Sequence, residues 1–349
     1  MPYASTGTAS RSLWVFCLYL LHRIVAAPPS DAQSEFAIRA PTRIDFGGGW
    51  TDVPPYDVEQ GGFVCNVAIT RYATVRVRPA LNGNSAELAV VRPGDVALLQ
   101  AAARRYRIRG ARLSLTSDFP VAAGLGGSSA AGVASIAASL RWLGTPHSRE
   151  ELAEMSRDLE INELGIAGGR QDHYAAAFGG ALGIRFGAAV TPEPIALPPA
   201  AAAELPRRCI VMYTGESRIS GNTITAVMGA YRTGSSAVRV ALKRMRELAE
   251  QMSRVLSRGD FDELGALVGE HWHHQRSLDP AIPTPLIDAM IAKATGAGAI
   301  GCKALGASGG GCVLIVAPGN RVQEVRRAVA PLGLAIDYSV DTKGVTECP

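Results

Sequence analysis

Apolar residues recur along the chain in two rhythms, and each predicts a different kind of element. From Phe36 the stretch FAIRAPTRIDF carries strand-like residues into the glycine run Gly47–Gly49 and the turn-prone Val53-Pro54-Pro55, so a strand followed by a loop is expected. Gly62–Ile69 and Ala73–Val77 come next, the second alternating apolar and polar as a half-buried strand does, and Ala111–Leu115 repeats the pattern. Together they predict a mixed sheet. At Ser128–Leu143 the rhythm changes: Val133, Ile136, Leu140 and Leu143 stand three or four residues apart, the spacing of one helix face. A second helix is expected over Ser148 to about Leu164, and a strand over Gly180–Phe186.

The Pro- and Ala-rich stretch Ala188–Arg207 reads as a link between two domains, 36–205 and 206–349. The second half opens with a strand at Cys209–Tyr213. A long helix follows, in which Val238, Leu242, Met245, Leu248, Met252 and Val255 keep the helical spacing. Cys312–Ala317 is a buried-strand candidate directly behind the glycine cluster Gly306–Gly311, and Arg321–Leu332 reads as a helix. Helix and strand alternate to the end of the chain.

Composition narrows the function classes. In 349 residues with 47% hydrophobic side chains there is material for substantial cores, and a formal charge of +4 with Lys and Arg scattered among acidic residues gives no nucleic-acid footprint. Cys17, Cys65, Cys209, Cys302, Cys312 and Cys348 form no CxxC pair, so they read as reduced thiols instead of a zinc site or a disulfide framework. His271, His273 and His274 lack a Glu or Cys at ligand spacing and read as a polar helix face. Leu13–Leu21 (LWVFCLYLL) behind Arg11 resembles a signal-peptide core, but it is too short to span a bilayer, has no clean Ala-x-Ala exit and is followed at once by His22-Arg23. A start codon placed too early accounts for it, and residues 1–35 are expected to be an extension outside the folded chain, with no membrane partner.

Asp118–Ala130 reads DFPVAAGLGGSSA, with Gly124, Gly126 and Gly127 just before a helix that begins at Ser128 and Ser129. Glycines let the backbone approach phosphate oxygens, the first-turn N–H groups are unpaired, and the helix dipole favours an anion there. Gly124, Leu125, Gly126, Gly127, Ser128 and Ser129 are therefore the candidate phosphate contacts, and a serine hydroxyl can add a ligand to Mg²⁺. No Gly-Lys-Ser/Thr closes the loop, so it is not a Walker A, and Ser129 stands where a dinucleotide fingerprint has its last glycine. An ordinary turn with serine caps explains the same string. Its company weighs against that: APTRIDFGGGWTD (Ala40–Asp52), GGRQDHYAAAFGG (Gly168–Gly180) and KALGASGGGC (Lys303–Cys312) flank it in order.

Through these motifs the chain resembles the GHMP kinases (galactokinase, homoserine kinase, mevalonate kinase, phosphomevalonate kinase) from Phe36 nearly to its end. GGGWTDVPPY (Gly47–Tyr56), YTGESR (Tyr213–Arg218) and HWHHQRSLDP (His271–Pro280) make it most similar to the sugar 1-kinases, namely D-glycero-D-manno-heptose 7-phosphate kinases and the kinase part of L-fucokinases. The resemblance implies a two-lobed α+β fold. Residues 36–205 would form a ribosomal-protein-S5-domain-2-like ATP-binding domain and 206–349 a ferredoxin-like domain. It also implies ATP and Mg²⁺ as cofactors, a sugar or sugar phosphate as the small-molecule partner, a monomer or homodimer, and a cytoplasmic site of action where ATP is at hand. A non-catalytic sugar and ATP sensor is the reading from another class; the retained Asp172, Arg43 and Ser128 speak against it.

Position by position, the resemblance makes Asp172 the base that takes the proton of the acceptor hydroxyl and Arg43 the cation that keeps it ionised and steadies the transferring phosphoryl group. Ser128 matches the Mg²⁺-binding serine, with Glu160 its carboxylate partner at nearly the mevalonate-kinase spacing from Asp172, one residue longer. Glu163 is the alternative ligand. Thr51 and Asp52 end the first motif as sugar contacts, although Gly48-Gly49-Trp50-Thr51-Asp52 departs from the Gly-Glu-His-Thr-Asp string of galactokinase and so points away from galactose. Gly309 and Gly310, with Gly306 and Gly311, match the third motif, a brace for the phosphate loop and substrate. Arg170 and Arg218 are the cations available for a second phosphate.

Overall fold

A computed structural model describes residues 34–80, 86–90, 93–216 and 221–348. The first sheet is organised around two long antiparallel strands. β1 (Phe36–Gly47) pairs with β2 (Gly62–Pro79) from Phe36↔Val77 to Gly47↔Cys65. The two expected strands Gly62–Ile69 and Ala73–Val77 are thus one. Pro41 lies opposite Tyr72 while Thr42 lies opposite Ile69, so Thr70 and Arg71 form a bulge where proline offers no N–H to the ladder.

β2 is long enough to serve two neighbours. Its C-terminal part pairs with β4 (Ala111–Ser117) and its N-terminal part with β5 (Ala181–Phe186). Parallel β3 (Glu87–Val90) extends the β4 side, and β6 (Thr191–Ile195) the β5 side. The helix Gly127–Trp142 packs on β1 and β2, and the helix Ser236–Arg258 also packs against both strands. This packing explains why β1 is buried along nearly its whole length instead of alternating.

β7 (Cys209–Tyr213), β8 (Gly301–Ala304), β9 (Cys312–Val316) and β10 (Leu334–Ala335) make a second, antiparallel sheet in the order β10-β7-β9-β8, covered by the helix Phe261–Arg276. The chain then returns to the first sheet, where β11 (Thr346–Glu347) adds to the free edge of β1. Trp50, Val53 and Tyr56 from the loop after β1 bury themselves among Met212, Ile287 and Met290 in the second core, and so tie that loop to the C-terminal half.

Two expectations need correction. The stretch Ala188–Arg207 is no bare link: it contains β6 and the helix Pro199–Arg208, because Pro199 opens a helix as readily as it breaks one and the Ala-Ala-Ala-Ala-Glu run behind it favours helix. His271 is not on a polar face. It is fully buried, and its Nε2 accepts the Gly48 N–H at 2.9 Å; only His273 and His274 look outward. Cys65, Cys209, Cys302 and Cys312 are buried free thiols and Cys348 is a half-buried one. Cys17 and Leu13–Leu21 lie outside the described residues, and among the described residues no helix is long and apolar enough to cross a membrane.

Candidate active site

The phosphate loop enters its helix without a serine cap. Gly126 occupies the cap position with φ +74°, and no side chain closes the helix N-terminus. Its glycines are required by space as well as by backbone angle. A Cβ on Gly124 (φ +74°) would meet the Leu305 carbonyl oxygen at 2.4 Å, one on Gly126 would meet the Asp172 carboxyl carbon at 3.0 Å, and one on Gly127 would meet the Phe119 ring at 2.3 Å. The loop is therefore pressed between the third glycine motif and Asp172, with its N–H groups and helix dipole left for an anion.

Arg43 on β1 grips Asp172 with both arms of its fork: Nε donates to Oδ1 at 2.8 Å and one terminal nitrogen to Oδ2 at 2.9 Å. The other terminal nitrogen donates to the Gly124 carbonyl at 2.6 Å, and the Arg43 N–H donates to the Leu125 carbonyl at 3.0 Å. One arginine thus fixes carboxylate and phosphate loop together. Burial pushes the Asp172 carboxyl above its ordinary value, with Arg43 pulling the other way, so the group is more basic than a free aspartate. Arg43 is 3% exposed, whereas the Asp172 side chain keeps 26% of its surface open towards the cleft.

Ser128 and Ser129 turn their hydroxyls to Glu160. Ser128 donates to Glu160 Oε1 at 2.6 Å and Ser129 reaches Oε2 at 3.4 Å. Nε2 of His173 stands 3.1 Å from the same Oε2, and its Nδ1 is 2.9 Å from the Ser156 hydroxyl. Burial works against the Glu160 charge, but His173 and the two hydroxyls outweigh it and hold the carboxyl below its ordinary range. Glu160 sits in a π-helical turn, Leu159–Glu163, that continues the helix Arg149–Asp158. Such a turn takes up one residue more than an α-turn. Glu163 points elsewhere, to Arg105 at 3.2 Å. Ser128 and Glu160 together offer hard oxygen ligands of the kind Mg²⁺ uses alongside phosphate oxygens and water.

The substrate candidates divide. Asp52 lines the cleft, and its Oδ2 accepts the N–H groups of Arg170 and Gln171 at 2.9 and 3.0 Å, so it caps the helix Gln171–Phe178 that carries Asp172. Burial pushes Asp52 up to about 6, with Asp172 and Asp45 adding to the rise. Thr51 is fully buried; its hydroxyl donates to the Gly48 carbonyl at 2.7 Å and shapes the turn instead of facing the cleft. Arg170 is engaged by buried Asp57 at 2.5 Å and by Glu154 at 3.7 Å, and it does not line the cleft. Arg218 lies outside the described residues.

Gly306 to Gly311 brace the phosphate loop by backbone contact. The Cys312 N–H donates to the Ala123 carbonyl at 2.8 Å, and a Cβ on Gly311 would meet that same oxygen at 2.8 Å. The Gly309 N–H donates to the Ile282 carbonyl, and a Cβ on Gly310 (φ +144°) would meet the Glu216 carbonyl oxygen at 2.9 Å; neither glycine lines the cleft.

Sequence reasoning missed a second buried ion pair. Lys303, with no exposed surface, donates to the carboxylate Oδ2 and the carbonyl of Asp45 at 3.1 and 3.0 Å. Two signals pointed to it: Asp45 follows Arg43 by two on a strand, hence on the same face, and Lys303 is a lone charge in the four-residue strand GCKA.

The cleft framed by these groups encloses about 390 Å³. A nucleotide-sized hollow with an open helix start beside a gripped carboxylate defines a phosphotransferase for small molecules. The family models described as GHMP kinases N terminal domain and GHMP kinases C terminal match residues 94–180 and 241–332, and the chain is 30% identical to the mevalonate kinase of Pyrococcus horikoshii over 318 residues, 89% of either chain. The chain belongs to the GHMP kinases.

It is 26% identical to the D-glycero-alpha-D-manno-heptose 7-phosphate kinase of Campylobacter jejuni, over 88% of this chain and 97% of that one. It is also 26% identical to the bifunctional fucokinase/GDP-fucose pyrophosphorylase of Arabidopsis thaliana, over 83% of this chain but spanning only 30% of that longer protein. Among solved structures, a D-glycero-D-manno-heptose 1-phosphate kinase from Bacteroides thetaiotaomicron superposes with a TM-score of 0.73 at 24% identity, covering 90% of this chain and 99% of that one.

Proposed function

We propose that the protein transfers the γ-phosphoryl group of ATP to the anomeric hydroxyl of a sugar in the cytoplasm, with D-glycero-D-manno-heptose 7-phosphate as the leading substrate. The observation that carries this reading is the Asp172 carboxylate, held in a fork by Arg43 and packed against Gly126 of the phosphate loop. A hydroxyl lodged beside Asp172 meets a base of raised basicity on one side and the phosphate cradle on the other, so positioning and proton removal come from one wall. Arg43 orients that base and adds positive charge where the transferring group passes. Bound between Ser128, Glu160 and the phosphates, Mg²⁺ would neutralise phosphate charge; the chain's own part is to present those two oxygen ligands.

A free sugar such as L-fucose is the second reading, and a specific observation favours it. Among the described residues lining the cleft, Arg43 is the only basic side chain, and it is already committed to Asp172 and Gly124. ADP release measured with heptose 7-phosphate, L-fucose and a wider sugar panel tests both. Turnover of heptose 7-phosphate supports the first substrate and preference for an unphosphorylated sugar replaces it with the second. No transfer to any sugar would remove the sugar-kinase reading and favour a sensor.

A further inference from the structure

We propose that Asp45, Trp50 and Gln171 form a hydroxyl-reading floor of the cleft, which binds the acceptor sugar through neutral hydroxyls other than the one phosphorylated, with Lys303 positioning Asp45. The inference rests on the sugar-kinase reading and adds the residues that select the sugar.

Three buried polar atoms on one wall of the cleft have no partner: the acceptor Asp45 Oδ1, the donor Trp50 Nε1 and the acceptor Gln171 Oε1. Their residues are 2%, 5% and 6% exposed. Buried polar atoms without partners are costly and rare in folded proteins, and three of them lining one hollow mark a place where a ligand supplies the partners. Their residues are neighbours. A Cβ on Gly49 would come within 2.6 Å of Asp45 Oδ2 and 3.1 Å of Gln171 Nε2, so the bare glycine keeps the space between those side chains clear, and Trp50 is the next residue.

Trp50 is also held at φ +81°, in the left-handed region that a bulky residue occupies only under constraint, as happens where a side chain must be delivered to a site. Lys303 ties Asp45 through Oδ2 and the backbone carbonyl and leaves Oδ1 to a ligand. The chemistry of the floor selects its occupant. Two acceptors with one neutral donor, one acceptor being a carboxylate oxygen, repel a phosphate and suit vicinal hydroxyls, each of which both donates and accepts.

The test measures kcat and KM for sugar and for ATP in the wild type, in Trp50→Phe and in Asp45→Asn/Lys303→Met. The double variant avoids leaving the buried ammonium without its counter-charge. Heptose 7-phosphate and L-fucose are assayed, with single-deoxy analogues of whichever is turned over. Trp50→Phe removes the N–H together with the five-membered ring of a buried side chain, so a thermal melt of the variant accompanies its kinetics; folded, it decides the matter should the double variant not fold. The expected result is a rise in sugar KM of about tenfold or more with the ATP KM within about twofold, and loss of discrimination against one deoxy analogue. An active wild type whose folded Trp50→Phe variant keeps both its sugar KM and its deoxy discrimination overturns the inference alone, as does a rise confined to the ATP KM. A wild type inactive on every sugar overturns the sugar-kinase reading and this inference with it.

Discussion

Two aspartate–cation pairs meet β1 two residues apart, and they are built for different work. Arg43 spreads a planar fork over both oxygens of Asp172 and a third bond over the phosphate loop, while Asp172 keeps a quarter of its side chain open (26%). Lys303 brings a compact ammonium to one oxygen of Asp45, and that pair is shielded from solvent, at 0% and 3% exposure, although Asp45 lines the cleft. The fork fixes the direction of a carboxylate that still faces solvent and ligand, as a chemical base requires. A point charge behind a buried carboxylate cannot move protons to a substrate but can lock a wall of the cleft in place. Exposure of the carboxylate, more than pairing alone, separates the reacting pair from the shaping one.

The largest expected effect lies on the open pair. Asp172→Asn keeps shape and hydrogen-bonding reach but removes the base, and ADP release should fall by about 10²–10⁴-fold in kcat with ATP binding retained. A loss below tenfold would sink the assignment of the base. On the shielded pair the expected damage is to stability. Lys303→Met leaves Asp45 buried without its cation and should lower unfolding free energy by about 3–5 kcal/mol in urea titrations. Lys303→Met/Asp45→Leu should recover most of that loss, and a double variant no better than the single one would show that the pair is not a unit.

These two pairs also mark what could be read from the chain. Asp172, Arg43 and Ser128 could be singled out because each lies inside a motif whose order along the sequence is informative, and Glu160 by its spacing from Asp172; the Gly127–Trp142 helix was legible because its apolar spacing is regular. Asp45 and Lys303 are 258 residues apart, and a lone lysine between apolar neighbours carries no periodic signal. His271 was misread because its neighbours are polar, although the helix turns that one position to the core. β2 was divided because Thr70-Arg71-Tyr72 interrupts the alternation, whereas a bulge absorbs the interruption without ending the strand. Arg170 shows the converse failure: it lies within a motif, yet tertiary structure gives it to Asp57.

Asp52 sharpens the comparison by a third arrangement, a buried carboxylate held by backbone N–H groups. Its value rises from 3.8 to about 6, so between those values the folded chain holds a proton that the unfolded chain has released. The stability this provides is complete below about pH 4 and is lost as pH climbs through 6. Asp52→Asn still accepts those N–H groups and carries no charge to desolvate. Its stability relative to wild type should therefore improve by on the order of 3 kcal/mol between pH 4 and pH 7. Thermal melts of both proteins across that range check the sign, and parallel pH curves would refute it.

The smallest expected effect separates conformational strain from contact between the two glycine motifs. Gly124 and Gly144 have nearly the same backbone angle, φ +74° and +66°, but a Cβ on Gly124 would strike the Leu305 carbonyl at 2.4 Å whereas one on Gly144 would meet nothing within 4 Å. Gly144→Ala should cost about 1 kcal/mol, the strain of a left-handed alanine, and leave the kinetics alone. Gly124→Ala carries that same strain and must also push the third motif away from the phosphate loop, for a total of about 1–3 kcal/mol. Because Arg43 bonds the Gly124 carbonyl, the displacement also reaches the fork that holds Asp172, so the ATP KM should rise and kcat should fall together. Equal melting temperatures and unchanged kinetics in both variants would mean that the two glycine motifs merely touch, and that Arg43 alone aligns the loop with the base.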